Sequence, residues 1–201
     1  MIAIIDYDAG NLRSVEKAVA YVGGQPLVTR DPGEILSADH VILPGVGFFG
    51  DAVEKLQRYG LIEIIREVAG KGTPLLGICL GLQLFFEHSE ESPGVKGLAL
   101  LPGAILRIPD SPERKVPQIG WNSLKIRREG DLYAGIDDGT FVYFVHSYYL
   151  KAADPRIVTA SVSYGVEIHA SVQKDNVCAC QFHPEKSGER GLKILRNFIN
   201  M

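Results

Sequence analysis

Through the first ninety residues, short apolar runs alternate with stretches whose apolar residues recur every three or four positions. "IAII" at 2 to 5 reads as a buried strand, and Leu12, Val15, Val19 and Val22 then form a helical stripe that Gly23-Gly24 closes. "PLVT" at 26 to 29 and "HVILPG" at 40 to 45 read as further strands, the second followed by a glycine-rich loop and a helix from about Asp51. A helix from about Leu61 to Val68 ends at Gly70 to Gly72, and "PLLGI" from Pro74 begins another strand. Strands and helices in this order favour a parallel sheet covered on both faces.

After residue 98 the pattern turns to β-rich stretches separated by turn residues: "LALLPGAILRI", "QIGWNSLKI", "TFVYFVHSYYL", "RIVTASV", "VEIHASVQ" and "NVCACQFH". These are expected to extend the sheet or add an antiparallel one. A last helix, Gly191 to Ile199, carries Leu192, Leu195 and Ile199 on one face. With no repeat, low-complexity tract or linker, residues 1–201 are read as a single domain.

At 201 residues, 46% hydrophobic and 22% charged, the chain can bury one substantial core. A net charge of -3 with both signs interspersed gives no basic face for nucleic acid. The start "MIAIIDYDAGN" has no basic leader, and no later segment nears the roughly 18 apolar residues of a membrane span, so a cytoplasmic location and no membrane partner are expected. Cys79, Cys178 and Cys180 lack the paired spacing of a zinc site or disulfide framework; reduced thiols and no metal or other cofactor are expected. Cys178 and Cys180 alternate in an apolar strand and read as packing.

Cys79 is different. It falls at a strand-to-helix junction within Gly77-Ile78-Cys79-Leu80-Gly81, the cysteine version of a nucleophile elbow, where small neighbours permit a sharp turn that lifts the reactive atom above the sheet. A side chain in place of either glycine would collide with the turn or the adjacent helix. The helix from Leu80 to about His88 would aim its positive end at the sulfur and favour thiolate. A nucleophile needs a base. His40 opens an apolar strand, His88 sits at a charged helix end and His169 lies in an alternating strand, whereas His183 in "QFHPEKS" directly follows a strand. Pro184 breaks the ladder there, and Glu185, two residues on, points the same way as His183 and can hold one imidazole nitrogen while the other faces the sulfur.

Gly77-x-Cys79-x-Gly81-x-Gln83 with His183-Pro184-Glu185 resembles the class I, triad-type glutamine amidotransferases over nearly the whole chain. The resemblance implies an α/β fold, an open mostly parallel sheet with helices on both faces plus a smaller antiparallel sheet. It implies a Cys79, His183, Glu185 triad that releases ammonia from the glutamine side chain through a cysteinyl thioester. The tetrahedral intermediate then needs an oxyanion hole. The elbow offers the Leu80 amide; by resemblance the amide near Val46 or Gly47 in "PGVGFFG" is the second donor, and Gly45 and Gly47 let backbone approach substrate or flip. Gln83, four residues after Cys79 on the same helical face, corresponds to a substrate-holding glutamine. "FVHSYY" resembles the segment that grips the α-amino and α-carboxylate groups, which implies Ser147 and Tyr148, with His146 either behind them or in the core.

No part of the chain is left over to bind or activate an acceptor, which implies a separate partner. "DYDAGNLRS", "PGVGFFG", "GWN" and "HPEKS" resemble the branch of glutaminase subunits that form heterodimers with a (β/α)8-barrel cyclase making imidazole glycerol phosphate in histidine biosynthesis. Anthranilate-type subunits usually carry "PGP" and "HPES"; here Val46 and Lys186 stand at those places. Asn11, Trp121, Asn122 and Lys186 are candidates for the partner face, Trp121 being alternatively a core indole. That branch often has histidine just before "GWN" where this chain has Gln118, so any role of that histidine does not carry over. The alternatives are a glutaminase of anthranilate or aminodeoxychorismate type, a stand-alone cysteine hydrolase, against which Gln83 and the "PGVG" loop count, and a non-catalytic subunit.

Overall fold

The computed structural model describes residues 1–8, 10–127 and 130–201; Ala9 of the "DYDAGNLRS" segment lies outside the described residues. The first half runs β1 (Ile2–Ile5), α1 (Leu12–Tyr21), β2 (Pro26–Thr29), α2 (Pro32–Ser37), β3 (His40–Gly45), α3 (Phe49–Arg58), α4 (Leu61–Gly70), β4 (Leu75–Cys79), α5 (Leu80–Leu84) and β5 (His88–Ser89). The second half adds β6 (Gly103–Arg107), β7 (Gln118–Ser123), β8 (Lys125–Ile126), β9 (Phe141–His146), β10 (Tyr148–Ala152), β11 (Val158–Ser163), β12 (Glu167–Lys174), β13 (Val177–Cys180) and α6 (Gly188–Ile199).

Among the described residues the main sheet has eight strands in the order β2-β1-β3-β4-β13-β12-β11-β8. From β2 to β13 the neighbours are parallel; β12, β11 and β8 continue the sheet in antiparallel pairs. Every residue of β1, β4 and β13 is buried, as expected of strands covered on both faces. One apolar layer gathers Ile35, Phe49, Leu56, Leu61 and Ile65 from α2, α3 and α4; the other gathers Val15, Val19, Ile194, Leu195 and Phe198 from α1 and α6. Two smaller sheets stand in place of the single one expected: β10-β6-β5, of mixed direction, and the antiparallel ribbon β7-β9. None of the helices described is long and apolar enough to cross a membrane.

The structure departs from the sequence pattern in four places. The helix expected to run from Leu80 to His88 ends at Leu84, because the backbone amides of Leu98, Leu100 and Ala99 take the carbonyls of Leu84, Phe85 and Phe86 that a longer helix would need. His88 therefore lies in a short strand. In α6 the buried stripe is Gly191, Ile194, Leu195 and Phe198, with Leu192 and Ile199 half-buried at its edge. The periodicity gives no sign of α2, whose six residues are too few to display a stripe; Asp31 starts it by accepting from the Glu34 amide, with Pro32 in the first turn. "TFVYFVHSYYL" is two strands in different sheets, divided at Ser147.

Candidate active site

β3 and β4 run parallel in a register that places Gly45 opposite Cys79 at their carboxyl ends. There the chain turns so sharply into α5 that Cys79 takes φ 56°, ψ -108°, a conformation that side chains rarely adopt. The close packing that makes the turn possible depends on Gly81, where a Cβ would lie 1.9 Å from the Leu43 carbonyl oxygen. Tyr7 fills the floor: its hydroxyl donates to the Pro44 carbonyl at 2.9 Å, and burial, then the Cys79 charge, push its pKa up.

β13 ends three residues before His183, and Pro184 to Lys186 form a single 3-10 turn. Two bonds fix the backbone at the break: the His183 amide donates to the Tyr143 carbonyl at 2.9 Å and the Ser187 hydroxyl to the His183 carbonyl at 2.6 Å. His183 Nδ1 donates to Glu185 Oε1 at 2.8 Å, which leaves Nε2 buried without a hydrogen bond of ordinary geometry. Burial works to lower the His183 pKa, but the Cys79 side chain and then Glu185 outweigh it and raise the ring to about 9. The imidazole is thus poised to be cationic beside sulfur.

A cavity of about 430 Å³ opens over these groups. Its walls include Cys79, Leu80, Val46, Gly47, Gln83, Ser147, Tyr148, His183 and Lys186, so nine of the residues singled out from the sequence come together. Gly45 lies beneath the wall and Glu185 behind His183. Gln83 is buried with its amide nitrogen donating to Gln181 Oε1 at 3.0 Å and the Tyr148 carbonyl at 3.1 Å, which leaves its oxygen as the group able to meet a ligand donor. His146 also lines the cavity, with Nδ1 donating to the Tyr148 carbonyl at 2.8 Å; burial holds its pKa down to about 4, so it is neutral.

Two residues escaped sequence reasoning. Gln181 donates to the Cys79 sulfur at 3.7 Å, and its place two positions before His183 on an extended segment was the available signal. Glu91 lines the cavity while its Oε2 accepts from the Phe49 amide at 2.7 Å at the start of α3; burial raises its pKa and that amide partly offsets the rise. Nothing in the acidic run "EHSEES" separates Glu91 from Glu87 and Glu90, since only the fold turns one of them inward.

The partner-face candidates lie outside the cavity, Lys186 excepted. Trp121 is 55% exposed, which removes the core alternative. It shares one face of the β7-β9 ribbon with Ile119 and Phe141, while Val142, Phe144 and His146 are buried on the other. Asn122, next to Trp121 and so turned to the opposite face, donates to the Ser163 carbonyl at 3.2 Å. Asn11 donates to Glu185 Oε1 at 2.9 Å.

A family model described as "Glutamine amidotransferase class-I" matches residues 3–201. Imidazole glycerol phosphate synthase subunit HisH of Moorella thermoacetica is 54% identical over 197 residues, 98% of this chain and 93% of the relative. The protein of the same name from Methanothermobacter thermautotrophicus is 51% identical over 201 residues, 100% of this chain and 98% of its own. Among solved structures, PurLQS from Thermotoga maritima superimposes with a TM-score of 0.76 at 21% identity, covering 99% of this chain and 97% of that one. A likeness at that identity speaks for the fold.

Proposed function

The chain belongs to the class-I glutamine amidotransferase family, and from that premise we propose that it is the glutaminase subunit of an imidazole glycerol phosphate synthase, working in the cytoplasm in a heterodimer with a (β/α)8-barrel cyclase. The observation that carries the reading is the convergence of Cys79 and the Glu185-supported His183 on one cavity beside the Gly45 to Gly47 loop.

Cys79 attacks the side-chain carbonyl carbon of glutamine. Negative charge collects on the carbonyl oxygen, where the Leu80 amide and the amide of Val46 or Gly47 receive it. His183 Nε2 passes its proton to the leaving nitrogen, the C–N bond breaks and ammonia departs, leaving a thioester on Cys79. Water then gives a proton to the same nitrogen as it adds to the thioester carbonyl, the C–S bond breaks, and glutamate leaves. Glu185 holds Nδ1 throughout, which keeps Nε2 turned to the sulfur. Glu91, Ser147 and Tyr148 orient the amino-acid end of the substrate, Glu91 as the counter-charge for its ammonium.

Free ammonia in water at neutral pH is mostly non-nucleophilic ammonium, so direct transfer to a docked acceptor enzyme is the productive route. The exposed ribbon face of Ile119, Trp121 and Phe141 joins the cavity wall through Val145 and Pro117, and Val46 and Phe48 are exposed on the adjoining loop; this apolar surface supports docking there. Partner binding favours the loop state whose amides face the oxyanion, so the isolated chain hydrolyses glutamine slowly.

The test is glutamine turnover by the chain alone and with the cyclase and its substrate, together with labelling of Cys79 by a glutamine-analogue electrophile. Strong stimulation by the cyclase and protection by glutamine are expected. Full activity of the lone chain would end the loop-switching account, and labelling indifferent to glutamine would point to a stand-alone cysteine hydrolase.

A further inference from the structure

Asn11, in the loop between β1 and α1, reaches the back of the site. Asn11 Nδ2 donates to Glu185 Oε1 at 2.9 Å, the same oxygen that accepts from His183 Nδ1 at 2.8 Å. The other oxygen, Oε2, is buried with no hydrogen-bond partner, and the Glu185 side chain is fully shielded from solvent. A carboxylate can turn about the bond that carries it, and a second donor on the oxygen that meets the imidazole fixes that rotation. Asn11 itself is held at φ 72°, ψ 14°, a left-handed conformation that asparagine tolerates better than most residues. Asp6 and Asp8 are tied down: Arg30 Nη2 reaches both at 2.7 Å, the Lys55 ammonium donates to the Asp8 carbonyl at 3.2 Å, and the Tyr59 hydroxyl donates to the Asp8 carboxylate.

We propose that Asn11 is a positioning residue for the glutaminase site, its amide fixing the rotation of the Glu185 carboxylate that supports His183. The proposal rests on the reading of Cys79, His183 and Glu185 as the reacting set. It gives Asn11 a role within this chain, separate from any contact it makes with a partner. Among the described residues, the titratable groups around the carboxylate are His183 on its own turn and Cys180 from β13, with Lys186 next along the chain; the residue just before α1 contributes the neutral amide. Removing that amide leaves a buried carboxylate less well aimed at Nδ1. A less well aimed carboxylate gives the His183 imidazolium less support.

Asn11→Gly is the clean variant, since glycine adopts a positive φ without cost and only the side chain is lost. Asn11→Asp keeps the shape, removes the donor and sets a second carboxylate against Glu185. The readout is the pH dependence of Cys79 alkylation by iodoacetamide, which needs no glutamine chemistry, alongside kcat and KM for glutamine in the complex with the cyclase and a thermal melt. Asn11→Gly is expected to move the acid limb of alkylation up by about one pH unit and to lower kcat roughly tenfold at unchanged KM; Asn11→Asp moves the limb further. A merely structural role would lower the melting temperature and leave the alkylation profile in place, and unchanged profiles in both variants would overturn the proposal. If the wild-type chain shows no glutaminase activity with the cyclase, it is the proposed function that fails, and the alkylation profiles still decide the role of Asn11.

Discussion

Gly45 and Cys79 face each other across β3 and β4, and the space between their strands is already full. A Cβ on residue 45 would meet the Tyr7 hydroxyl at 2.4 Å, Leu80 Cβ at 2.9 Å and the Gly81 amide nitrogen at 3.1 Å. Tyr7 cannot simply withdraw, because its hydroxyl is bonded to the Pro44 carbonyl and its ring is buried. The strain falls on the loop that carries Val46 and Gly47. Gly45→Ala is therefore expected to lower glutaminase kcat in the complex by about 10²-fold, the usual effect of losing one oxyanion donor, with a smaller loss of stability. Steady-state kinetics with the cyclase check this, and a kcat within threefold of wild type would mean that the loop tolerates the displacement.

Gly81→Ala has a different outcome. The added carbon would sit 1.9 Å from the Leu43 carbonyl oxygen, a contact between the backbones of α5 and β3 that no rotamer change relieves. Separating the helix from the sheet disturbs the elbow and the core at once, and a loss of more than about 3 kcal/mol is expected. Urea unfolding gives the number directly; a variant with an unshifted midpoint would show that α5 can move away cheaply.

Gly81 also bears on what was legible in the chain. Gly77, Cys79 and Gly81 carry the elbow because the steric demand is local, written into neighbouring residues, and the His183-Pro184-Glu185 turn is equally local. That these two segments meet follows from β13 lying beside β4, a pairing between residues about a hundred positions apart that periodicity leaves open. The length of α5 was not legible, since the amides that cut it short come from residues 98 to 100. Glu91 was invisible for a related reason: its inward turn is set by the Phe49 amide it accepts from, which the acidic run itself does not encode.

Glu91 lends itself to a test of substrate orientation. It is an acid lining the cavity at the α3 amino terminus, where burial raises its pKa and the Phe49 amide partly offsets the rise, so a substrate ammonium is a favourable partner for it. Glu91→Gln keeps the shape and removes the charge. Because the ammonium of glutamine does not change during the reaction, the lost interaction is made equally in the ground and transition states, and KM is expected to rise tenfold or more with kcat nearly unchanged. A fall in kcat at constant KM would place Glu91 nearer the chemistry than proposed.

The elevated pKa of His183 has a consequence for stability as well as for reactivity. Its value rises from the ordinary 6.5 to about 9, against the pull of burial, through Cys79 and Glu185. The folded chain therefore binds that proton more tightly than the unfolded chain does. Below about pH 6.5 both states hold the proton and the stabilisation is fully present. Between there and about pH 9 the unfolded chain has released it while the folded chain keeps it, so stability falls as pH rises, and above about 9 the contribution is gone. The total is at most about 3.5 kcal/mol, from roughly 1.4 kcal/mol per pH unit over the rise from 6.5 to about 9. His146, held down to about 4 by burial, drops out of the comparison because wild type and variant both carry it. His183→Gln lacks the proton altogether. The melting temperature of wild type should exceed that of the variant by the largest margin near pH 6.5, and the margin should close by about pH 9.5. A margin that stays constant across that range would mean that the imidazole is not held as a cation by the sulfur and Glu185.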